Sequence, residues 1–100
     1  MTNLEIAVKV VADYLQEQLD DDYYKDDEIS SWGEMLKCFG WDSEDVKEEI
    51  KTVLWDYAIE NNVYCDLNGD NEIEDADGFT PYKKLVNDIR KEMRNRKLFK

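Results

Sequence analysis

The sequence predicts a mainly α-helical protein: one domain, a bundle of about four helices, with a short acidic hairpin or loop before the last helix. Apolar residues recur at helical spacing in three long segments, 4–19, 46–58 and 82–93. Residues that start or stop helices, such as Gly40 and Pro81, separate these segments. A chain of 100 residues with 42% hydrophobic content can build one core but not two. Residues 1–100 are therefore expected to form a single domain.

The first helix is predicted to run from an N-cap at Asn3 to about Leu19. Its main apolar stripe contains Leu4, Val8, Val11, Leu15 and Leu19. Further apolar residues widen this stripe, namely Ile6, Ala7, Val10, Ala12 and Tyr14. So wide a face predicts contact on two sides, either by two helices of the bundle or by one helix and a second subunit. The bundle explanation is the simpler one.

A short second helix is predicted to start at Ser30 or Ser31 and to stop at Gly40, a residue that readily adopts the left-handed conformation. Its buried face would contain Trp32, Met35, Leu36 and Phe39. Trp41 follows the stop and is expected to fill the space between elements.

The third helix is the clearest in the chain and is predicted to start at Asp42 or Ser43 and to end near Asn61 and Asn62. Its buried stripe would contain Val46, Ile50, Val53, Leu54, Tyr57 and Ala58. We expect the other helices to pack on this face.

The last helix is predicted to start at Thr80, with Pro81 in its first turn. Its buried stripe would contain Tyr82, Leu85, Val86, Ile89 and Met93. The exposed side would carry Lys83, Lys84, Arg90, Lys91, Arg94, Arg96 and Lys97.

Composition narrows the classes of function. The chain has no histidine, and no arrangement of side chains indicates catalysis, so no catalytic residues are predicted and the protein is expected not to be an enzyme. It has neither a long apolar run nor a signal-peptide pattern, so we expect a cytoplasmic protein. Cys38 and Cys65 are then expected to stay reduced and to serve as small apolar residues.

Segment 63–77 has two interpretations. Asn68-Gly69 is a strong hairpin turn signal between short extended arms. The spacing of Asp66, Asn68, Asp70 and Asp77 instead resembles an EF-hand calcium loop of the dockerin variant. That resemblance implies calcium ligands at Asp66, Asn68, Asp70, Glu72 and Asp77. Because Asn71 stands where an EF-hand has glycine, the hairpin is favoured and no metal or other cofactor is expected.

Charge is divided unevenly along the chain. Residues 81–100 contain 8 basic and 2 acidic residues, a net charge of +6, so residues 1–80 contain 5 basic and 23 acidic ones, a net charge of −18. Such an excess repels itself in the folded state and disfavours binding to nucleic acid or an anionic membrane. It favours a basic partner, such as a protein that binds nucleic acid.

Two acidic runs are the predicted contact sites. The first contains Asp20, Asp21, Asp22, Tyr23, Tyr24, Asp26, Asp27 and Glu28. The second contains Glu44, Asp45, Glu48 and Glu49, which fall in rows along the third helix. A solvated connecting loop also explains the first run. Carboxylates in rows can occupy a groove of Lys and Arg that normally binds phosphates.

In size, charge and lack of catalytic groups, the chain resembles the small acidic inhibitors that phages and mobile elements encode against restriction enzymes, CRISPR effectors or DNA-repair enzymes. The resemblance implies mimicry of a nucleic acid. One alternative is a helical adaptor that recognises its partner through exposed aromatic residues. The other is a calcium-responsive module at 66–77.

Overall fold

Four helices and one pair of antiparallel strands make up the described part of the chain. The computed structural model describes residues 2–21, 29–61, 73–75 and 78–98. In chain order the elements are α1 (Asn3–Leu19), α2 (Trp32–Phe39), α3 (Ser43–Glu60), β1 (Ile73–Asp75), β2 (Gly78–Thr80) and α4 (Tyr82–Asn95). The predicted mainly helical fold of about four helices is confirmed, and a short pair of strands precedes α4.

The central element of the bundle is α1. It contacts α3, α4 and β1, and it buries Ala7, Val11, Ala12 and Leu15. The wide apolar face of α1 is thus covered from two sides within one chain, as the bundle explanation predicts. The helix α1 packs on α3, as expected, but the expectation that all the other helices pack there was wrong, because the main contact of α4 is with α1. The reason is that α3 buries only the narrow stripe of Val46, Ile50, Leu54 and Ala58, which faces one side of the core.

The core is closed by residues from every described helix. The largest fully buried side chains are Val11 of α1, Met35 of α2, and Leu85, Ile89 and Met93 of α4. Trp41 packs partly buried against this core, with its ring centre 4.9 Å from that of Phe39. Trp41 therefore packs beside α2 at the junction that leads to α3, which agrees with its predicted place between elements.

Side-chain caps fix the start of three helices. The Oγ of Ser31 accepts a hydrogen bond from the Glu34 amide at 3.2 Å, which selects Ser31 over Ser30 as the cap of α2. In α1 the cap is Thr2 and not Asn3, because the Thr2 hydroxyl accepts a hydrogen bond from the Glu5 amide at 3.1 Å. The prediction of Asn3 was thus wrong by one residue.

The start of α3 is the most completely capped. The Asp42 carboxylate accepts hydrogen bonds from the backbone amides of Glu44 and Asp45, both at 2.9 Å. In return, the Asp45 carboxylate accepts the Asp42 amide at 3.1 Å. This reciprocal capping box satisfies donors that would otherwise have no helical partner.

The junctions at Gly40 and Pro81 differ in how well they were predicted. Gly40 ends α2 with a φ of 72°, in the left-handed region, as predicted. Pro81, and not Thr80, is the N-cap of α4, and no side chain caps this helix. The reason is that Thr80 is extended in β2 and pairs with Ile73.

The described strand pair lies later in the chain than the predicted hairpin. Ile73 pairs with Thr80 and Asp75 with Gly78, so residues 76–77 connect the strands in sequence. The Asn68-Gly69 turn signal lies outside the described residues. Ile73 is buried against the core and β1 contacts α1, so the buried Ile73 side chain anchors β1 to the bundle.

Candidate functional site

The predicted acidic residues of α3 point in different directions. Three of them, Glu44, Asp45 and Glu48, are exposed. Glu49 is partly buried and lies close enough to α1 for its negative charge to raise the pKa of the Tyr14 phenol. At 100° per residue, Glu44 and Glu48 fall on the side of α3 opposite its buried stripe. We call Glu44 and Glu48 the α3 acidic row.

The α3 acidic row carries unneutralised charge. Within the described ranges, ion pairs form within α1, within the segment 82–96, and between these two parts of the chain. None of them involves Glu44 or Glu48. Asp45 differs, because its carboxylate serves the capping box. The two row carboxylates are four residues apart, which is about 6 Å along the helix axis.

Two large apolar side chains extend this outer face toward the C-terminal end of α3. Trp55 is 48% exposed and Ile59 is 78% exposed. The Lys51 ammonium lies 4.7 Å from the centre of the Trp55 ring, in position for a cation–π contact. Neither Trp55 nor Ile59 is among the residues predicted from the sequence. Their signal is their helical position, since at 100° per residue both lie more than about 100° from the centre of the buried stripe.

A cleft between α1 and α3, which we call the α1–α3 groove, has a volume of about 470 Å³. Its walls carry both apolar and charged side chains. They are Ile6, Lys9, Val10, Asp13, Tyr14, Glu17, Val53, Asp56, Tyr57 and Glu60. Four of these residues are acidic and one is basic. The groove was not predicted from the sequence.

The electrostatic potential in the α1–α3 groove is negative. Burial raises the pKa of the Tyr14 phenol, and the carboxylates of Glu49 and Glu17 raise it further. Glu17 belongs to α1 and Glu49 to α3, so both helices contribute negative potential at Tyr14. The only basic residue among those lining the groove is Lys9, and its ammonium is already paired with Asp13 at 3.1 Å.

Asp13 links the groove to α4. It accepts hydrogen bonds from Arg96 at 2.7 Å and from Lys9 at 3.1 Å. Burial acts to raise the pKa of Asp13, but the bonds from Arg96 and Lys9 outweigh it, so this pKa is lowered. Asp13 is therefore held as an anion within a structural contact.

The basic side of α4 is mostly as predicted. Six of its seven predicted cations are exposed, namely Lys83, Lys84, Arg90, Lys91, Arg94 and Lys97. Arg96 is the exception and corrects the prediction. Its side chain is only 20% exposed, because it packs against α1 and bonds Asp13, Gln16 and Glu92.

Part of the first acidic run is described. Asp20 and Asp21 are exposed at the end of α1, where Asp20 is the C-cap. The other predicted contacts of this run, Asp22, Tyr23, Tyr24, Asp26, Asp27 and Glu28, lie outside the described residues. The α3 acidic row is therefore the part of the predicted site with a defined geometry.

The proposed calcium ligands Asp66, Asn68, Asp70, Glu72 and Asp77 also lie outside the described residues. In the part of the chain that is described, no group of three or more His, Cys, Asp or Glu side chains is placed to hold a metal ion. Cys38 has a free thiol, as expected, but it is exposed on α2 and does not pack as an apolar residue of the core. In that turn of α2, Met35 is fully buried in the core and Leu36 packs partly buried against it. Cys65 is outside the described residues.

Comparison with protein-family models, curated proteins and solved structures finds no match to this chain. Among the described residues, no helix combines the length and apolar character needed to cross a membrane.

Proposed function

We propose that this protein is a non-catalytic acidic inhibitor that occupies the phosphate-binding groove of a DNA- or RNA-binding enzyme. The targets that fit are restriction, CRISPR or repair enzymes, with the inhibitor acting as a nucleic-acid mimic in the cytoplasm of the host cell. The proposal rests on the α3 acidic row, whose two carboxylates are exposed and form no ion pair within the described residues.

Three properties of the row support mimicry. It is built on a helix of 18 residues with a complete capping box, so its carboxylates are held on a stiff scaffold. Its carboxylates form no ion pair with other described residues, so they are available to a partner. Its carboxylates repeat along one direction, as phosphates do along a strand, and can face successive Lys or Arg side chains.

The first experiment identifies the target. The protein is immobilised and incubated with host-cell lysate at low salt, and captured proteins are eluted with duplex DNA or RNA. A mimic must be displaced by the polyanion it imitates, and it must inhibit nucleic-acid binding or cleavage by the eluted enzyme. A captured protein that nucleic acid does not displace contradicts the proposal.

A matched pair of double variants then tests the row. E44Q/E48Q removes two charges four residues apart on α3, and D56N/E60Q removes two charges at the same spacing further along the same helix. Each exposed ion pair contributes about 0.2 to 1 kcal/mol, so E44Q/E48Q should weaken inhibition by about 2- to 30-fold. D56N/E60Q should weaken it less, and equal losses would show that only the net charge matters.

A helical adaptor is the second candidate, favoured by the exposure of Trp55 and Ile59. Exposed tryptophan next to an apolar neighbour is typical of a binding hot spot. In this case W55A/I59A abolishes partner binding, E44Q/E48Q leaves it unchanged, and the affinity depends little on salt. The same capture experiment therefore separates the two functions.

A further inference from the structure

From the α1–α3 groove we infer a second binding surface, one that takes a basic amphipathic helix of a partner protein. This inference is independent of the inhibitor proposal, because Glu44 and Glu48 do not line the groove.

The apolar part of the groove requires an apolar strip on its occupant. Tyr14 and Val10 of α1 and Tyr57 and Val53 of α3 line it, and all four are only partly buried. Their apolar surface is thus accessible from solvent within the groove. Burying such surface yields roughly 25 cal/mol per Å², so an occupant with apolar side chains is favoured over a purely charged one.

The charged residues require cations on both sides of that strip. Asp13 and Glu17 stand on the α1 wall, and Asp56 and Glu60 stand on the α3 wall. Asp13 is bound to Lys9 and Arg96, but the other three carboxylates form no ion pair with any described residue. A ligand in the groove therefore meets unpaired negative charge from two directions.

A helix with apolar residues at positions i, i+3, i+4 and i+7 and with Lys or Arg on both flanks has this chemistry. The groove lining on α1 extends from Ile6 to Glu17, a distance of about 17 Å along the helix axis. That length accommodates about three turns of a docked helix.

A second copy of this chain fits less well. Among the described elements only α4 is strongly basic, and it presents Lys83, Lys91 and Arg94 to solvent. Three apolar residues of α4, Leu85, Ile89 and Met93, are fully buried in their own core, and Tyr82 and Val86 are partly buried. Among the described residues, the large exposed apolar side chains of a second copy, Trp55 and Ile59, lie on α3 and not on the basic helix. A separate partner helix, which carries cations and an apolar strip on one element, is therefore the occupant that satisfies both requirements.

Two synthetic peptides of about four helical turns serve as probes. The first has leucines at i, i+3, i+4 and i+7 and lysines on both flanks, and the second has glutamine in place of each leucine. Binding to the full chain is measured by fluorescence anisotropy at about 0.15 M NaCl, where long-range attraction is screened. The leucine peptide should bind at least tenfold more tightly than the glutamine peptide.

The matched variants locate the site. D56N/E60Q should weaken binding of the leucine peptide by about 2- to 30-fold, as expected for two lost ion pairs, whereas E44Q/E48Q should change it less than twofold. Circular dichroism and thermal midpoints of both variants confirm that the fold is retained. Equal binding of the two peptides, or equal losses in the two variants, would overturn the groove assignment in favour of general attraction to an acidic protein.

Light scattering of the protein without peptide tests whether a second copy of the chain occupies the groove. A monomer up to high concentration agrees with a partner helix. A dimer that forms in the unmodified protein and is lost in D56N/E60Q would overturn the inference and make a second copy the occupant. None of these outcomes affects the inhibitor proposal, which is decided by E44Q/E48Q on the captured enzyme.

Discussion

Replacing Arg96 should loosen the contact between the first and last helices. The Arg96 guanidinium donates to Asp13 at 2.7 Å, to Glu92 at 2.9 Å and to Gln16 at 3.2 Å. The Asp13 side chain is half exposed, so that pair contributes up to about 1 kcal/mol, and the i,i+4 pair with Glu92 adds about 0.3 to 0.5 kcal/mol. With the bond to Gln16, Arg96→Met should lower the free energy of unfolding by about 1 to 2 kcal/mol. For a domain of this size, the thermal midpoint then falls by about 4 to 16 °C.

Chemical and thermal denaturation measure this effect, with Arg94→Met as the matched control. Arg94 is also a cation in the last turn of α4, but it is exposed. Its replacement should change stability by less than about 0.5 kcal/mol. Arg96→Lys should fall between the two variants, because lysine keeps the charge but cannot bridge three acceptors with a planar fork.

The pH dependence supplies an independent check. The pKa of Asp13 is lowered in the folded protein, so its contribution to stability is present above its unfolded pKa and is lost as the pH falls through the folded value. Removing Arg96 should therefore flatten the loss of stability on the acid side. If Arg96→Met melts at the same temperature as the unmodified protein at neutral pH, this contact does not hold α4 on α1.

Three further outcomes are expected. The thermal midpoint should rise on adding about 0.2 M NaCl, because the net charge of −12 repels itself and salt screens it; an unchanged midpoint would mean that the carboxylates are already paired. Asp42→Ala should destabilise the protein by about 0.5 to 2 kcal/mol by removing the cap of α3, whereas Ser43→Ala, one residue on, should have little effect. Calcium should leave the midpoint unchanged, and calorimetry showing a stoichiometric site that D66A/D70A removes would contradict this.

Local signals in the sequence predict the helix boundaries well. Ser31, Gly40 and Asp42 act through bonds within three or four residues of themselves, so their roles depend little on the rest of the fold. The error at Thr80 is of a different kind. Its capping chemistry competes with strand pairing to Ile73, a tertiary contact that helix signals do not contain.

The central position of α1 and the α1–α3 groove could not be predicted in the same way. Helical periodicity shows which face of a helix is buried but not which helix covers it. The groove depends on how α1 packs against α3, because both of its walls come from these two helices. The outward position of Glu48, in contrast, follows from its spacing relative to Val46 and Ile50, so the α3 acidic row could be predicted.

The contact between α1 and α4 has a consequence for synthesis on the ribosome. Arg96 is 83 positions downstream of its partner Asp13. At about 5 to 20 residues per second, α1 waits roughly 4 to 17 s before α4 is made. During that time the surface that α4 later covers on α1 lacks its final neighbour. A nascent chain of this protein is therefore expected to bind holding chaperones through α1, and to leave them once α4 emerges and docks.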